Sequence, residues 1–384
     1  MWQVRKLGEI FTLKYGKALT AEKRIKGDFK VYSSGGVCGY SDDTLCTNGI
    51  VVGRKGTVGS VYYSETPFFA IDTAFYIDEF HNADKKFVYY YLNTLHLESY
   101  NNDAAVPGLN RNLVHKLKGN IPPLPIQKKI ADILSDYDDL IENNNRRIDL
   151  LEQVAQQIFK DWFIRFHFPG YEKAHFIKGI PDGWEVKRFS EMLEIIDGDR
   201  GVNYPNQNEM LDEGFCLFLN AGNITSNGFD YSKNNFITQE KDSKLKKGKL
   251  NRNDIIITTR GTVGNVALYN SLVPYDNVRI NSGMVIIRPN ISSINVSFLY
   301  LLLRSSSVQQ LFNLFSSGSA QPQLPIKDMK RIKVLLPSNE LLTAFEAVVK
   351  PILDSISSNK VKNQNLIKQR DLLLPRLMSG KLEV

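Results

Sequence analysis

The sequence predicts an α+β protein in which two mixed α/β domains are separated by two long helices. The helices are expected to pair as an antiparallel coiled coil, the whole forming a pseudo-twofold internal repeat. Three observations predict this: segments that recur in order along the chain, short β-rich runs in the first part of each copy, and a long helical pattern closing each copy.

The recurrence is read directly. Trp2 to Glu9 (WQVRKLGE) returns as Trp184 to Glu191 (WEVKRFSE), and Val51 to Val61 (VVGRKGTVGSV) as Ile256 to Val266 (IITTRGTVGNV). Ile121 to Ile126 (IPPLPI) and Val334 to Asn339 (VLLPSN) each open a helical pattern. The offsets are 182, 205 and 213, and an offset that grows along the chain implies loop insertions in the second copy. The runs Gly49 to Arg54, Val61 to Tyr63, Asp254 to Thr259 and Gly283 to Arg288 are β-branched or aromatic and bounded by turn residues, so they read as strands. Helical pieces are expected near Lys86 to Leu97 and near Ser297 to Phe315. The Gly-Thr-Val-Gly segments lie between apolar runs, where glycine supplies turn geometry.

The long helices follow from spacing. Apolar residues fall at Ile130, Ile133, Tyr137, Leu140, Ile141, Ile148, Leu151, Val154, Ile158 and Trp162, and again at Phe345, Val348, Ile352, Ile356, Leu366, Leu373 and Leu377. A forty-residue helix extends roughly 60 Å. Asn143 to Asn145 and the Asn-rich stretch from Asn359 to Asn365 fall mid-pattern, as a register device would. Pro351 and Pro375 weaken the second helix towards its ends. Two helices packed into ordinary globular cores is the alternative. The expected organisation is residues 1–124, a first domain; 125–165, a long helix; 166–337, a linker and second domain; and 338–384, a second long helix.

Composition sets outer bounds. Of 384 residues, 42% are hydrophobic and 23% charged, enough for real cores and against global disorder. The net charge of +7 leans towards polyanionic partners, yet residues 121–165 carry six Lys/Arg against eight Asp/Glu, so the surplus lies elsewhere. One such place is Lys241 to Lys249 (KDSKLKKGK), which suits a solvated loop as well as phosphate contact. Three scattered cysteines without C-x-x-C spacing argue for a reducing compartment. The N-terminal residues lack a signal-peptide core, and the longest apolar run, Phe298 to Leu303, is too short to span a bilayer. A cytoplasmic location is expected.

Two similar domains about a pseudo-twofold axis match the local symmetry of duplex DNA, and unlike reading residues in the two would give an asymmetric bipartite site. Gln127 to Asn143 (QKKIADILSDYDDLIEN), continuing to Phe159 to Phe163 (FKDWF), resembles the central helix of the specificity subunits of type I restriction–modification systems. Gln369 to Leu382 (QRDLLLPRLMSGKL) is similar to that family's terminal helix, and Pro181 to Lys187 (PDGWEVK) to the start of a target recognition domain. Gly53 to Gly59 (GRKGTVG) with Ala70 to Phe75 (AIDTAF) resembles a common variant of that domain. The second copy opens its helix with Pro337 to Leu342 (PSNELL) rather than the proline-rich, Gln-containing form at Pro122 to Gln127.

The resemblance implies a non-catalytic subunit with two target recognition domains, binding double-stranded DNA and no membrane. It also implies two modification subunits, which methylate adenine, and two restriction subunits forming a translocating nuclease. No cofactor is expected on this chain; S-adenosylmethionine and ATP with Mg are expected on the partner subunits. The long helices would act as ruler and docking surface.

Candidate DNA contacts are polar or cationic residues beside glycine-rich turns. Arg54, Lys55, Thr57, Arg260 and Thr262 lie in the repeated segment, and Arg can pair bidentately with guanine. Tyr32, Ser33 and Ser34 precede Gly35 and Gly36. Asn110, Arg111, Asn220, Asn223, Asn281, Gln321 and Gln323 complete the set, since Asn and Gln can read adenine. Each also suits a bland role, as surface cation, ion-pair member or turn former. Trp162 and Trp184 are expected in cores. The acidic face with Asp132, Asp136, Asp138, Asp139 and Glu142 opposes DNA and suits solvent or a protein partner; Asp132, Asp136, Asp139 and Glu142 are the candidates for docking a modification subunit.

Enzymatic readings fare poorly. The chain lacks the Asn/Asp-Pro-Pro-Tyr/Phe motif that holds a flipped adenine, a Walker-type phosphate loop, and His spacing suited to a metal. Pro181, Asp182, Glu185 and Lys187 imitate a nuclease pattern, but its carboxylates normally come from separate strands. A DNA-free adaptor is the other rival.

Overall fold

The computed structural model describes residues 2–100, 108–290, 294–318 and 322–384. It divides into two compact units, one of residues 1–143 and 363–384, the other of residues 144–362. Each unit thus contains part of both long helices, Leu124–Phe163 and Asn339–Met378.

In the first unit a four-stranded antiparallel sheet runs in the order Phe11–Tyr15, Ala74–Phe80, Gly49–Gly53, Val61–Ser64. A three-stranded sheet places Phe29–Ser33 between antiparallel Gly36–Ser41 and parallel Phe68–Ala70. Gln3–Lys6 pairs with Lys118–Ile121. The second unit repeats this order: Leu193–Asp197, Met284–Pro289, Asp254–Thr258, Val266–Tyr269 in one sheet, and Cys216–Leu219 between antiparallel Phe236–Ile237 and parallel Val278–Ile280 in the other. Glu185–Arg188 pairs with Lys333–Leu336. Even small devices recur. The Glu9 carboxylate accepts from Lys6 N–H, and Glu191 from Arg188 N–H, each closing the turn after a corresponding strand, Gln3–Lys6 or Glu185–Arg188.

The repeat therefore lies in topology, and the offsets can be read residue by residue. Gly53 pairs with Ala74 as Thr258 pairs with Met284, and Tyr32 with Ala70 as Leu219 with Ile280. The central strands Gly49–Gly53 and Asp254–Thr258 are buried throughout, as near-continuous apolar runs between two packed faces should be.

Inside the first unit the two long helices run antiparallel, with Arg370 against Asp138 and the Asn363 side-chain amide donating to Ile141 O. Asp138 also accepts from the Tyr90 hydroxyl at 2.5 Å, so it faces inward and does not belong to the acidic solvent face. Burial, and next this carboxylate, push the Tyr90 hydroxyl far above its ordinary range. The core there joins Ile130, Leu134, Leu377 and Met378 to Phe87, Tyr91 and the sheet. Inside the second unit Lys360 pairs with Glu152, and Phe345 packs on Phe159, Trp162 and Phe163. Trp184 joins the same aromatic core through Phe163 and Phe168.

Two helical expectations need correction. The pattern over Ser297 to Phe315 is two helices, Val296–Arg304 and Ser306–Phe315, because Ser305 adopts extended backbone and its hydroxyl caps the second by accepting from Val308 N–H. The second long helix runs unbroken through Pro351 and Pro375. Each proline removes one donor, and burial of Phe345, Val349, Leu353 and Leu377 on the inner side holds the helix together. Among the described residues, no helix is long and apolar enough to cross a membrane.

Candidate nucleic-acid interface

The repeated Gly-Thr-Val-Gly segment folds the same way in both units. Gly53 N–H donates to Ser60 O and Gly59 N–H to Gly53 O; Thr258 N–H donates to Asn265 O and Gly264 N–H to Thr258 O. Gly56 and Gly59 have φ of 80° and 79°, and Gly261 and Gly264 have 72° and 92°, a left-handed region that a side chain resists. Identical chemistry at four glycines thus makes one loop twice.

What surrounds the loop is also placed alike. Arg54 N–H donates to Thr73 O and Leu109 N–H to Arg54 O, as Thr259 N–H donates to Gly283 O and Leu324 N–H to Thr259 O. Lys55 bridges Gly108, and Arg260 bridges Gln323. The turn after Phe29–Ser33 closes on the loop, where the Ser60 hydroxyl donates to Ser34 O and Ser34 N–H reaches Thr73 Oγ1 at 3.4 Å.

The first unit therefore gathers Ser33, Ser34, Arg54, Lys55 and Thr57 at one end of its sheets, with Asn110 and Arg111 beside them. Lys55 and Thr57 are exposed, whereas Tyr32 and Ser34 are buried and Ser33 is half-buried. The Tyr32 ring packs on Phe68 and Tyr62. Asn110 accepts from Asn112 and Leu113 N–H and so caps helix Arg111–Lys116. Arg54 lies over Tyr15 at 4.9 Å and Phe75 at 5.8 Å, and Arg111 lies over the same Tyr15 ring at 5.0 Å. Burial, and then the Arg111 charge, hold His115 below its ordinary value, so its Nε2 accepts from Leu13 N–H as neutral imidazole.

In the second unit Asn220, Arg260, Thr262, Asn281 and Gln323 occupy the matching end. Asn220 accepts from Gly222 N–H and Asn281 from Gly283 N–H, closing two tight turns. Asn223 is buried with its amide donating to Asp230 O and Lys233 O, so this side chain is consumed within the fold. Gln323 and Thr262 are exposed, and Arg260 is half-buried with an Nε that meets no hydrogen-bond partner among the described residues. Gln321 lies outside the described residues.

The basic loop resolves into two kinds of lysine. Lys241, Lys244 and Lys249 pair with Glu209, Glu240 and Asp242. Lys246 and Lys247 are exposed, with no ion pair to a described carboxylate, and their N–H groups donate to Asp199 at 2.7 and 3.3 Å. The Gly201 N–H, aided by these two, holds Asp199 below the usual carboxylate range despite partial burial.

Asp132, Asp136 and Asp139 are exposed at steps of four and three along the first long helix, with exposed Glu142 three further on, which sets the four on one face. Sequence reasoning missed Tyr15, Asp197 and Arg200. Tyr15 stands before Gly16 and Asp197 before Gly198, and at each glycine a Cβ would lie 2.1 Å from a carbonyl, of Ile71 or Asn281. In the sequence, the glycine following each of Tyr15 and Asp197 was the available signal.

Two copies of one fold, each presenting a polar and cationic loop cluster, define a paired recognition module. Among the described residues no group of three His, Cys, Asp or Glu is placed to hold a metal. The family model described as "Type I restriction modification DNA specificity domain" matches residues 1–153 and 181–366. The chain belongs to this family: it is a DNA-recognition specificity subunit of a type I restriction–modification complex, the non-catalytic component that associates with DNA and with modification and restriction subunits. It is 29% identical to the type I restriction enzyme MjaIX specificity subunit of Methanocaldococcus jannaschii, over 78% of this chain and 69% of that one. It is 28% identical to the HindI specificity subunit of Haemophilus influenzae, over 73% and 72%. Among solved structures, the S subunit of a type I system from M. genitalium shares the fold, with a TM-score of 0.62 and 20% identity, covering 98% of this chain and 96% of that one.

Proposed function

We propose that this chain reads an asymmetric bipartite site in double-stranded DNA, one half-site per target recognition domain, within residues 1–124 and 166–337. The segments 125–165 and 338–384 serve as ruler and docking surface for two modification subunits, with two restriction subunits completing the nuclease. Cofactor chemistry, S-adenosylmethionine and ATP with Mg, belongs to those partners. The complex works in the cytoplasm.

The observation that carries this reading is the pairing of an equal backbone with unequal side chains. The loop bonds are the same in both units, while the side chains that follow the central strand differ, Arg54 and Lys55 against Thr259 and Arg260. A reader of two unlike half-sites needs that combination. Lys55, Thr57, Arg54 and Arg111 are the candidates for the first half-site, and Arg260, Thr262 and Gln323 for the second. The exposed face with Asp132, Asp136, Asp139 and Glu142 repels phosphate and suits a cationic surface on a modification subunit.

Co-purification with modification subunits, followed by single-molecule mapping of methylated adenines on plasmid DNA, tests this. A split motif with an unread spacer is expected. Methylation without a motif, or no association with DNA at all, would favour a protein adaptor instead.

A further inference from the structure

The equivalence of the two units can be carried to single side chains. Because Ala74 corresponds to Met284, Asp72 corresponds to Ser282. Because Tyr15 pairs with Phe75 and Asp197 with Val285, Tyr15 corresponds to Asp197. In the first unit Arg54 donates from Nη1 to Asp72 O at 3.1 Å while its guanidinium carbon lies 4.9 Å from the centre of the Tyr15 ring. In the second unit Arg200 donates from Nη2 to Ser282 O at 3.3 Å and pairs with Asp197 at 3.0 Å.

A guanidinium therefore occupies the same place in both folds, on the same backbone carbonyl, although it arrives from different points in the chain. Residue 54 follows the central strand; residue 200 follows the edge strand. The true counterpart of Arg54 at that end of the second unit is Arg200, since Thr259 is buried and spends its hydroxyl on Gly283 O. The partner has changed with the route. An aromatic face leaves the charge of Arg54 unpaired by any described carboxylate, and only Nη1 is used, on Asp72 O, whereas Asp197 neutralises Arg200 and adds an acceptor.

We infer that this position is a specificity switch between the two half-sites, resting on the proposed one-domain-one-half-site reading. Arg54, held over the Tyr15 ring at 4.9 Å and tethered at one nitrogen, presents a preorganised donor fork. That geometry suits the O6 and N7 acceptors of guanine in the major groove. The Asp197–Arg200 pair presents an acceptor beside a donor and suits a base edge carrying an amino group, adenine or cytosine. A loose phosphate contact would need neither the ring contact nor the tether.

Single-molecule methylation mapping of the assembled complex, with Arg54→Lys and Asp197→Asn made separately, tests the assignment. Arg54→Lys keeps the charge and loses the fork. It should cut discrimination for guanine at one position of the first half-site by on the order of ten-fold and leave the second half-site unchanged. Asp197→Asn should alter preference only in the second. An unchanged motif in both variants overturns the inference. So does a uniform loss of binding for Arg54→Lys across all sequences, accompanied in Arg54→Ala by a salt dependence shallower by about one, because that is the signature of a phosphate contact. If the unsubstituted complex methylates without any motif, the underlying reading falls, and this inference falls with it; melting curves of each variant separate misfolding from misreading.

Discussion

Asp242 holds the second unit's basic loop in place. Its carboxylate accepts from Arg279 at 2.6 Å and from Lys249 at 2.5 Å, and both Arg279 and Asp242 are buried. Burial pushes its pKa up, and the two cations overcome that, so the group stays below the usual aspartate value. A carboxyl depressed in the folded state contributes stability that is fully present above the unfolded value, about 4, and is lost as pH falls through the folded one. Urea titrations at decreasing pH should show the midpoint falling from about pH 4 downwards. Removing the carboxylate strands a buried guanidinium, so Asp242→Ala should lose about 3–5 kcal/mol in denaturant titration at neutral pH. Lys246 and Lys247 make the contrasting case. Replacing both with Gln should leave stability unchanged, weaken DNA binding evenly across sequences, and reduce the slope of log affinity against log salt by about 0.9 for each phosphate no longer neutralised. At this scale the sequence was only partly legible. Arg54 and Arg111 stood out by charge, but their common ring, Tyr15, lies 39 and 96 positions away, and no local pattern joins them. The asparagines carry the turn-forming role that the sequence offered beside base reading. Asn110, Asn220 and Asn281 spend their side-chain oxygens on neighbouring backbone N–H groups, the competition that makes Asn a turn former.

The long helices are the elements on which each unit's core closes. In the second unit Phe345 is fully buried among Phe159, Trp162 and Phe163. Phe345→Ala should cost about 3–5 kcal/mol of that unit's stability, seen as an earlier transition in chemical denaturation. A loss under about 1 kcal/mol would mean the helix stripe is not a core element. Periodicity made these helices legible because their apolar stripes persist over about ten turns, far longer than chance allows. Their inward polar contacts were not legible. Asp138 sits among exposed acids in the sequence, and only the fold brings Tyr90 and Arg370 to it. The break at Ser305 was likewise hidden, because Val296–Arg304 is buried nearly all round, Ser306–Phe315 is apolar on one side, and a single capping serine separates them.

Across the whole molecule the duplication is the organising fact, and sequence self-comparison exposed it through three short matches. The structure extends those matches to every major strand and to the loop hydrogen bonds. The remaining correspondences were unreadable because insertions move the offset, from 205 at the central strand to 210 at Asp72 and Ser282 and 187 at Tyr32 and Leu219. Equivalent places are consequently filled by residues that no alignment of short motifs would pair, as with Arg54 and Arg200. On the proposed reading, one scaffold carries two independent codes. Exchanging residues 1–124 for those of another such subunit, then mapping methylated adenines in the reassembled complex, tests it most directly. One half of the split motif should change and the other remain as it was; a change in both halves, or in neither, would contradict the account.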